Sequence, residues 1–251
     1  MRIWDMNVAL GATDVKGEKL TPERLIKVMD DYRIDRAVAY HTLAKFEHRS
    51  GNAEMARISK ESNGRIGMCA VIDPVLGADS LYGQGTFVQR LKSCGAEAIR
   101  VFPTELRVTF SPFYFKEILE AAEELSMPIL VDENLTSPIV HPIFSYLPDM
   151  AESYPSVKFV FMRYGICCQR HILPLVTRCK NVYFTIEKML DYHQIEEICV
   201  NGGDDKLLFG SGYPALPYAG TMGLGIYADI SEKEREGIFS KNWEAIRYDN
   251  T

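Results

Sequence analysis

A chain of 251 residues, 47% apolar and 25% charged, has the balance of a globular α/β protein with enough apolar side chains to fill a sizeable core. A net charge of −6 and a pI near 5.5 argue against nucleic acid as a partner, which usually meets a basic face. No apolar run has the length to span a bilayer, and the N-terminus M-R-I-W-D-M-N-V lacks the apolar core of a signal peptide, so no membrane partner and a cytoplasmic location are expected.

The chain then alternates strand-like and helix-like stretches from end to end. Residues 2–8 read as a strand. Thr21-Pro22-Glu23 opens a helix, with threonine as cap and proline in the first turn, and Leu25, Val28, Met29 and Tyr32 supply its apolar stripe. Residues 35–40 are a second strand, 53–62 a helix, and 65–72 a strand closed by Asp73-Pro74. Residues 86–93 are helical with Gly95 as stop, and 97–102 form a strand closed by Pro103. Ser111-Pro112 begins a helix, 127–131 are a strand, and Pro138, Pro142 and Pro148 predict a short, broken helix. Residues 157–162 and 182–186 are strands around a helix at 169–179, and 192–200 are helical up to Asn201-Gly202-Gly203. Residues 206–209 form the last strand, and Ser231 caps a final helix running towards Trp243 and Ile246.

Eight strand–helix units in one domain over 1–251 predict α/β class and a single (β/α)8 TIM barrel. No G-x-G-x-x-G or Walker loop follows a strand, so nucleotide binding of those kinds has no support. Six cysteines without a C-x-x-C pair read as free thiols, the vicinal Cys167-Cys168 pair included.

Several words of the sequence carry a family resemblance: V-I-D-P at 71–74, A-A-E-E-L-S-M-P-I-L-V at 121–131, N-V-Y at 181–183, G-S-G-Y-P at 210–214, and the ending E-R-E-G-I-F-S-K-N. In this order the chain resembles the amidohydrolase-related barrels of the "amidohydrolase 2" type, a group of metal-dependent hydrolases, lactonases and decarboxylases. The resemblance implies a metal centre built from D-x-H-x-H on the first strand, a histidine ending each of the fifth and sixth, and an aspartate in G-S-D-Y-P. Here those positions hold Asn7, Ala9, Asp132, Arg163 and Gly212. Divalent metals of this kind need imidazole, carboxylate or thiolate donors, and a permanently protonated guanidinium repels a cation. The family's zinc-type site is therefore expected to be lost, with no metal ligand and no cofactor assigned.

By analogy with the residues they replace, Asn7, Asp132, Arg163 and Gly212 point into the barrel mouth, the face where this architecture carries its chemistry. Arg163 is expected to stand where metal charge would be and to pair with Asp132, either as a plug or as a clamp on an anionic substrate, with Asp132 or Glu133 handling a proton. Arg100 is read as facing substrate or paired with a carboxylate. Glu187 in T-I-E-K and His41 after the second strand are further candidates for moving protons. Tyr164, Ser211, Gly212 and Tyr213 are assigned to the pocket lining. His41 and His48, with Asp132 or Glu187, offer a re-sited metal centre as an alternative, while His141, His171 and His193 read as surface residues. No G-x-S-x-G elbow surrounds Ser211. The loop A-L-P-Y-A-G-T-M-G-L-G-I-Y after the last strand reads as a lid or as an interface that would make a homo-oligomer.

The functional expectation is a metal-independent hydrolase or lyase acting on a small carboxylate-bearing molecule. The alternative is a pseudoenzyme that kept the scaffold and serves as a binding or partner subunit.

Overall fold

Parallel strands buried on both faces need continuous apolar runs, and the runs here deliver them. The structure is a computed structural model that describes residues 1–13, 17–132, 143–164 and 168–248. Its strands are β1 (Trp4–Ala12), β2 (Lys19–Leu20), β3 (Arg36–His41), β4 (Ile66–Val71), β5 (Ala96–Val101), β6 (Ile129–Asp132), β7 (Phe159–Met162), β8 (Val182–Thr185) and β9 (Leu207–Leu208). All six residues of β4 and all six of β5 are buried. One sheet holds them in the order β2-β1-β3-β4-β5-β6-β7-β8-β9. Only β2 is antiparallel, a short hairpin on β1 that the sequence reading did not anticipate.

The sheet curls shut where the chain beyond β9 meets β1. Met6 N donates to Phe209 O (3.1 Å), Gly212 N to Asn7 O (3.0 Å) and Ala9 N to Tyr213 O (2.9 Å), and Val8 bridges Tyr213 in parallel. Closure removes the sheet edges and makes the (β/α)8 barrel.

Alternation along the strands splits the core in two. Met6, Val38, Cys69, Leu130, Val160 and Leu208 fill the barrel. Val8, Ile99, Val131, Phe161 and Phe184 face the helices. Trp243 and Ile246 of the last helix join the inner cluster, on the side where Tyr248 N donates to Glu97 O at the start of β5. That end is the barrel floor, and the opposite end is the mouth.

Side-chain caps mark three of the α-helix starts. Thr21 caps Pro22–Asp31 through Arg24 N, and Thr86 and Ser231 each complete a reciprocal capping box. Two helices correct the sequence reading. One begins at His48 rather than near residue 53, so His48 lies in a helix and not in the loop with His41. A Cβ on Gly51 would lie 2.1 Å from Ala44 N, so this glycine permits close helix packing instead of ending the helix. The expected glycine-rich loop is the helix Tyr218–Ile226, whose Gly225 leaves room for the Phe239 ring.

Candidate active site

The mouth is organised by a fault in β1. Asp5 pairs in register with Ala37 and Val8 with Ala39, so Met6 and Asn7 together face Val38. Such a bulge re-aims a side chain, and here it turns the Asn7 amide across the mouth. Gly210 makes the space, since a Cβ there would lie 2.9 Å from Asn7 Cβ and 3.1 Å from Thr185 Cγ2.

Asp132 ends β6 and is buried, with both carboxylate oxygens engaged. Oδ2 accepts from Arg100 Nη2, while Oδ1 accepts from Arg163 Nη2 and from Arg163 Nε (2.8 Å). Burial alone would push this carboxyl up, but the Arg100 and Arg163 charges outweigh it and hold it below the usual aspartate value. Arg100, on β5, is equally buried. Its guanidinium lies 4.2 Å from the Tyr40 ring centroid and 5.2 Å from that of Phe102, geometry that suits a cation on aromatic faces.

Arg163 reaches Asp132 because the backbone after β7 turns left-handed (φ 63°). For a residue with a side chain this costs about 1–2 kcal/mol. Two hydrogen bonds from Arg163 N, to Glu187 Oε1 (3.1 Å) and Thr185 Oγ1 (3.3 Å), hold the turn. Its side chain is 19% exposed, against 3% for Arg100, so Arg163 is the more accessible of the two cations.

Glu187 follows β8. Asn7 Nδ2 donates to its Oε1 (2.9 Å), and Arg100 Nη2 donates to Asn7 Oδ1 (3.0 Å), which fixes the amide's orientation. Glu187 Oε2 is buried with no hydrogen-bond partner among the described residues, and neither has Arg100 Nε. Burial pushes the Glu187 carboxyl up to about 7; the bonds from Thr185 and Asn7 oppose that rise and the Asp132 charge adds to it. With Glu187 protonated, two guanidinium groups face one carboxylate and the cluster carries one net positive charge.

Asn7, Arg100, Asp132, Arg163 and Glu187 are thus brought together. The other sequence candidates lie elsewhere. His41 Nδ1 accepts from Leu43 N (3.2 Å), and the charges that act on it are those of Glu54 and Lys19; burial lowers its pKa first of all. Tyr164 packs in the outer core against Phe144, Phe161 and Phe184, because one residue beyond Arg163 the chain faces the helices. Ser211 donates its hydroxyl to Asp5 Oδ2, and Tyr213 stacks on Tyr218 (4.7 Å between centroids). Gly212 is left-handed (φ 72°), and a Cβ there would point at Leu216, 3.2 Å away. Glu133, His141 and Cys167 lie outside the described residues.

Two residues near the site were given no role from the sequence, although Asp5 stands at the aspartate of the D-x-H-x-H word. Lys188 is half-buried beside Glu187; burial, then the Arg163 charge, lower its pKa. Asp5, buried in β1, accepts from Ser211 N (2.8 Å) and Asn7 N (3.0 Å), and burial pushes it up to about 6 against those bonds. A lone aspartate in an apolar strand was the available signal, since a buried carboxylate needs donors.

A family model described as Amidohydrolase (Amidohydro_2) matches residues 16–246. The chain belongs to the amidohydrolase family. Solved structures give the same fold for this amidohydrolase barrel. A dihydroxybenzoic acid decarboxylase from Polaromonas sp., with bound manganese and the inhibitor 2-nitroresorcinol, aligns at TM-score 0.74 and 14% identity over 98% of this chain and 96% of that one. A 5-carboxyvanillate decarboxylase from Novosphingobium aromaticivorans, complexed with manganese and a nitrobenzoic acid, gives 0.75 and 13% over 97% and 95%. A probable 2-pyrone-4,6-dicarboxylic acid hydrolase from Acinetobacter baumannii, with citric acid bound, gives 0.69 and 15% over 98% and 99%. No curated protein matches the chain.

The donor set at this amidohydrolase mouth fits a divalent cation poorly. Both Asp132 oxygens and the Asn7 amide oxygen accept from guanidinium groups. Ala9 and Gly212 have no donor atom in their side chains. Among the described residues no three His, Cys, Asp or Glu side chains are grouped to hold a metal ion, His41 and His48 included.

Proposed function

We propose that this amidohydrolase-family barrel acts without a metal, as a hydrolase or lyase on a small carboxylate-bearing molecule, with fixed guanidinium charge in place of the family cation. The observation that carries the reading is Glu187: a buried carboxyl raised to about 7, with Oε2 unpartnered among the described residues and Oε1 held by Asn7 Nδ2 and Arg163 N. A general acid works best when its pKa lies near the working pH. Arg163, the more exposed cation, binds the substrate carboxylate, while Arg100 and Asp132 hold Arg163 in place. An anion bound beside Glu187 raises its pKa further and keeps it in the proton-donating form. In the hydrolase case water is the co-reactant that bonds to the scissile carbon while Glu187 delivers its proton from Oε2 to the leaving group. In the lyase case Glu187 protonates the carbon, which keeps the electron pair of the bond that breaks as the substituent departs as a neutral molecule. Asn7 Nδ2 steadies the carboxylate that remains.

A second reading rests on a different observation: Asp132 already occupies both arginines, as a closed plug in a non-catalytic partner subunit would. Assaying chelator-treated protein against a panel of small aromatic and aliphatic carboxylates separates the two. The enzyme reading expects turnover that survives chelation and is lost in Glu187→Gln. Turnover that disappears on chelation and returns with manganese contradicts both readings, and no turnover with no carboxylate binding leaves the partner-subunit reading.

A further inference from the structure

Asp5 has no part in the proton transfer above, yet three hydrogen bonds converge on it. Its Oδ1 accepts from Asn7 N (3.0 Å) and Ser211 N (2.8 Å), and its Oδ2 accepts from the Ser211 hydroxyl. It sits level with Ala37 of the outer layer, with the buried Tyr218 hydroxyl beside it, so it lies behind the barrel wall rather than in the mouth. These bonds span the seam where the barrel closes, at the point where β1 slips register. The residue that the slip turns inwards is Asn7. Its amide is orientated by Arg100 at Oδ1 (3.0 Å) and donates to Glu187 at Nδ2 (2.9 Å).

We propose that Asp5 is a positioning residue for Glu187: it pins the β1 bulge from behind the wall and, through the Asn7 amide, sets the orientation and proton affinity of the Glu187 carboxyl. The proposal rests on Glu187 being the proton carrier. It makes a prediction of sign. The charged groups around Glu187 are Asp132 and Lys188, with Arg163 reaching it through its backbone N–H and Arg100 through the Asn7 amide, and Asp5 itself is faced by Tyr218. If Asp5 acted only as a distant anion, removing it would lower the Glu187 pKa, because one negative charge fewer favours the ionised form. If Asp5 positions Asn7, removing it loosens the Asn7 donation that favours the ionised form, and the pKa rises.

The test is carboxyl 13C NMR of the full chain with labelled glutamate, the Glu187 signal being assigned by its loss in Glu187→Gln. In the unaltered protein the Glu187 midpoint is expected near 7. In Asp5→Ala it is expected to rise by about half a pH unit or more. Asp5→Asn keeps an oxygen to accept from Asn7 N and Ser211 N, and its midpoint is expected at or below that of the unaltered protein. A midpoint in Asp5→Ala that stays put or falls overturns the positioning role and leaves the Glu187 reading intact. A Glu187 that does not titrate between about pH 6 and 8 in the unaltered protein overturns the Glu187 reading itself. Should Asp5→Ala fail to fold, Ser211→Ala removes one donor from the same carboxylate. A smaller rise is expected there, and an unmoved midpoint overturns the proposal.

Discussion

Each end of the barrel places a carboxylate between two arginines, and the two ends use that device differently. At the floor, Glu97 takes Arg36 through both oxygens, with Arg247 at 3.7 Å, and Arg36, Arg247 and Arg2 all stack over the Trp4 ring. There the guanidinium groups meet a carboxylate and an aromatic face together, and the floor reads as a staple. At the mouth, Asp132 takes Arg100 and Arg163, but the cluster continues through Asn7 to Glu187 and leaves Glu187 Oε2 and Arg100 Nε without partners among the described residues. Buried polar atoms left unmatched cost stability. At the floor Trp243 Nε1 is also unmatched among the described residues, but only at the mouth are the unmatched atoms a carboxylate oxygen and a guanidinium nitrogen of one cluster. Barrels of this architecture keep stability at the floor and chemistry at the mouth, and under the proposed reading the same ion-pair motif serves both.

Substitutions can break that contrast. The largest effect is expected from Glu187→Gln, which should cut turnover of a substrate roughly 10²–10⁴-fold while leaving the fold intact, since a neutral glutamine resembles the protonated acid. Asp132→Ala strands two arginines in a buried site and should cost about 3–5 kcal/mol in chemical denaturation. Glu97→Gln at the floor should cost about 1.5–3 kcal/mol, the range for hydrogen bonds to charged groups, and leave carboxylate binding unchanged. Equal effects on binding at both ends would remove the distinction.

Acidity sharpens it further. Glu187 and Asp5 have raised folded pKa values, about 7 and about 6, so between their ordinary values and these the native state holds more protons than the unfolded chain. Their contribution is complete at low pH and is lost as pH rises towards 7, each by up to about 1.4 kcal/mol per unit. Asp132 is depressed, so its contribution is lost only as pH falls below the usual aspartate range. Thermal unfolding across pH should show both limbs, and Glu187→Gln should reduce the upper one, leaving the part that belongs to Asp5, without altering the lower one. The smallest effect is expected from Gly212→Asp. It should cost about 1–2 kcal/mol for the left-handed backbone and confer no manganese-dependent activity, because the new side chain points at Leu216.

The barrel was legible in the sequence because apolar strands, caps and glycine stops recur with a regular period, and the words at 71–74, 121–131 and 210–214 fixed their order. The pairing of Asp132 with Arg163 was legible from the same alignment of words. Arg100 as the second partner of Asp132 was one of two options, since alternation says that a side chain points inwards but not how far it reaches. The role of Asp5 was hidden, because a strand slip at Asn7 depends on pairing with β3 and with residues 209–213, about two hundred positions away in the chain. Tyr164 was misplaced because the left-handed turn at Arg163 changes which face the next residue presents.

The central claim is that arginine charge, not a metal, receives the substrate carboxylate. Calorimetric titration of small carboxylates into chelator-treated protein tests it most directly. The account predicts a binder whose affinity falls about tenfold or more in Arg163→Gln and is unchanged by added manganese. Carboxylate binding that appears only after manganese is restored, and that survives Arg163→Gln, would contradict it.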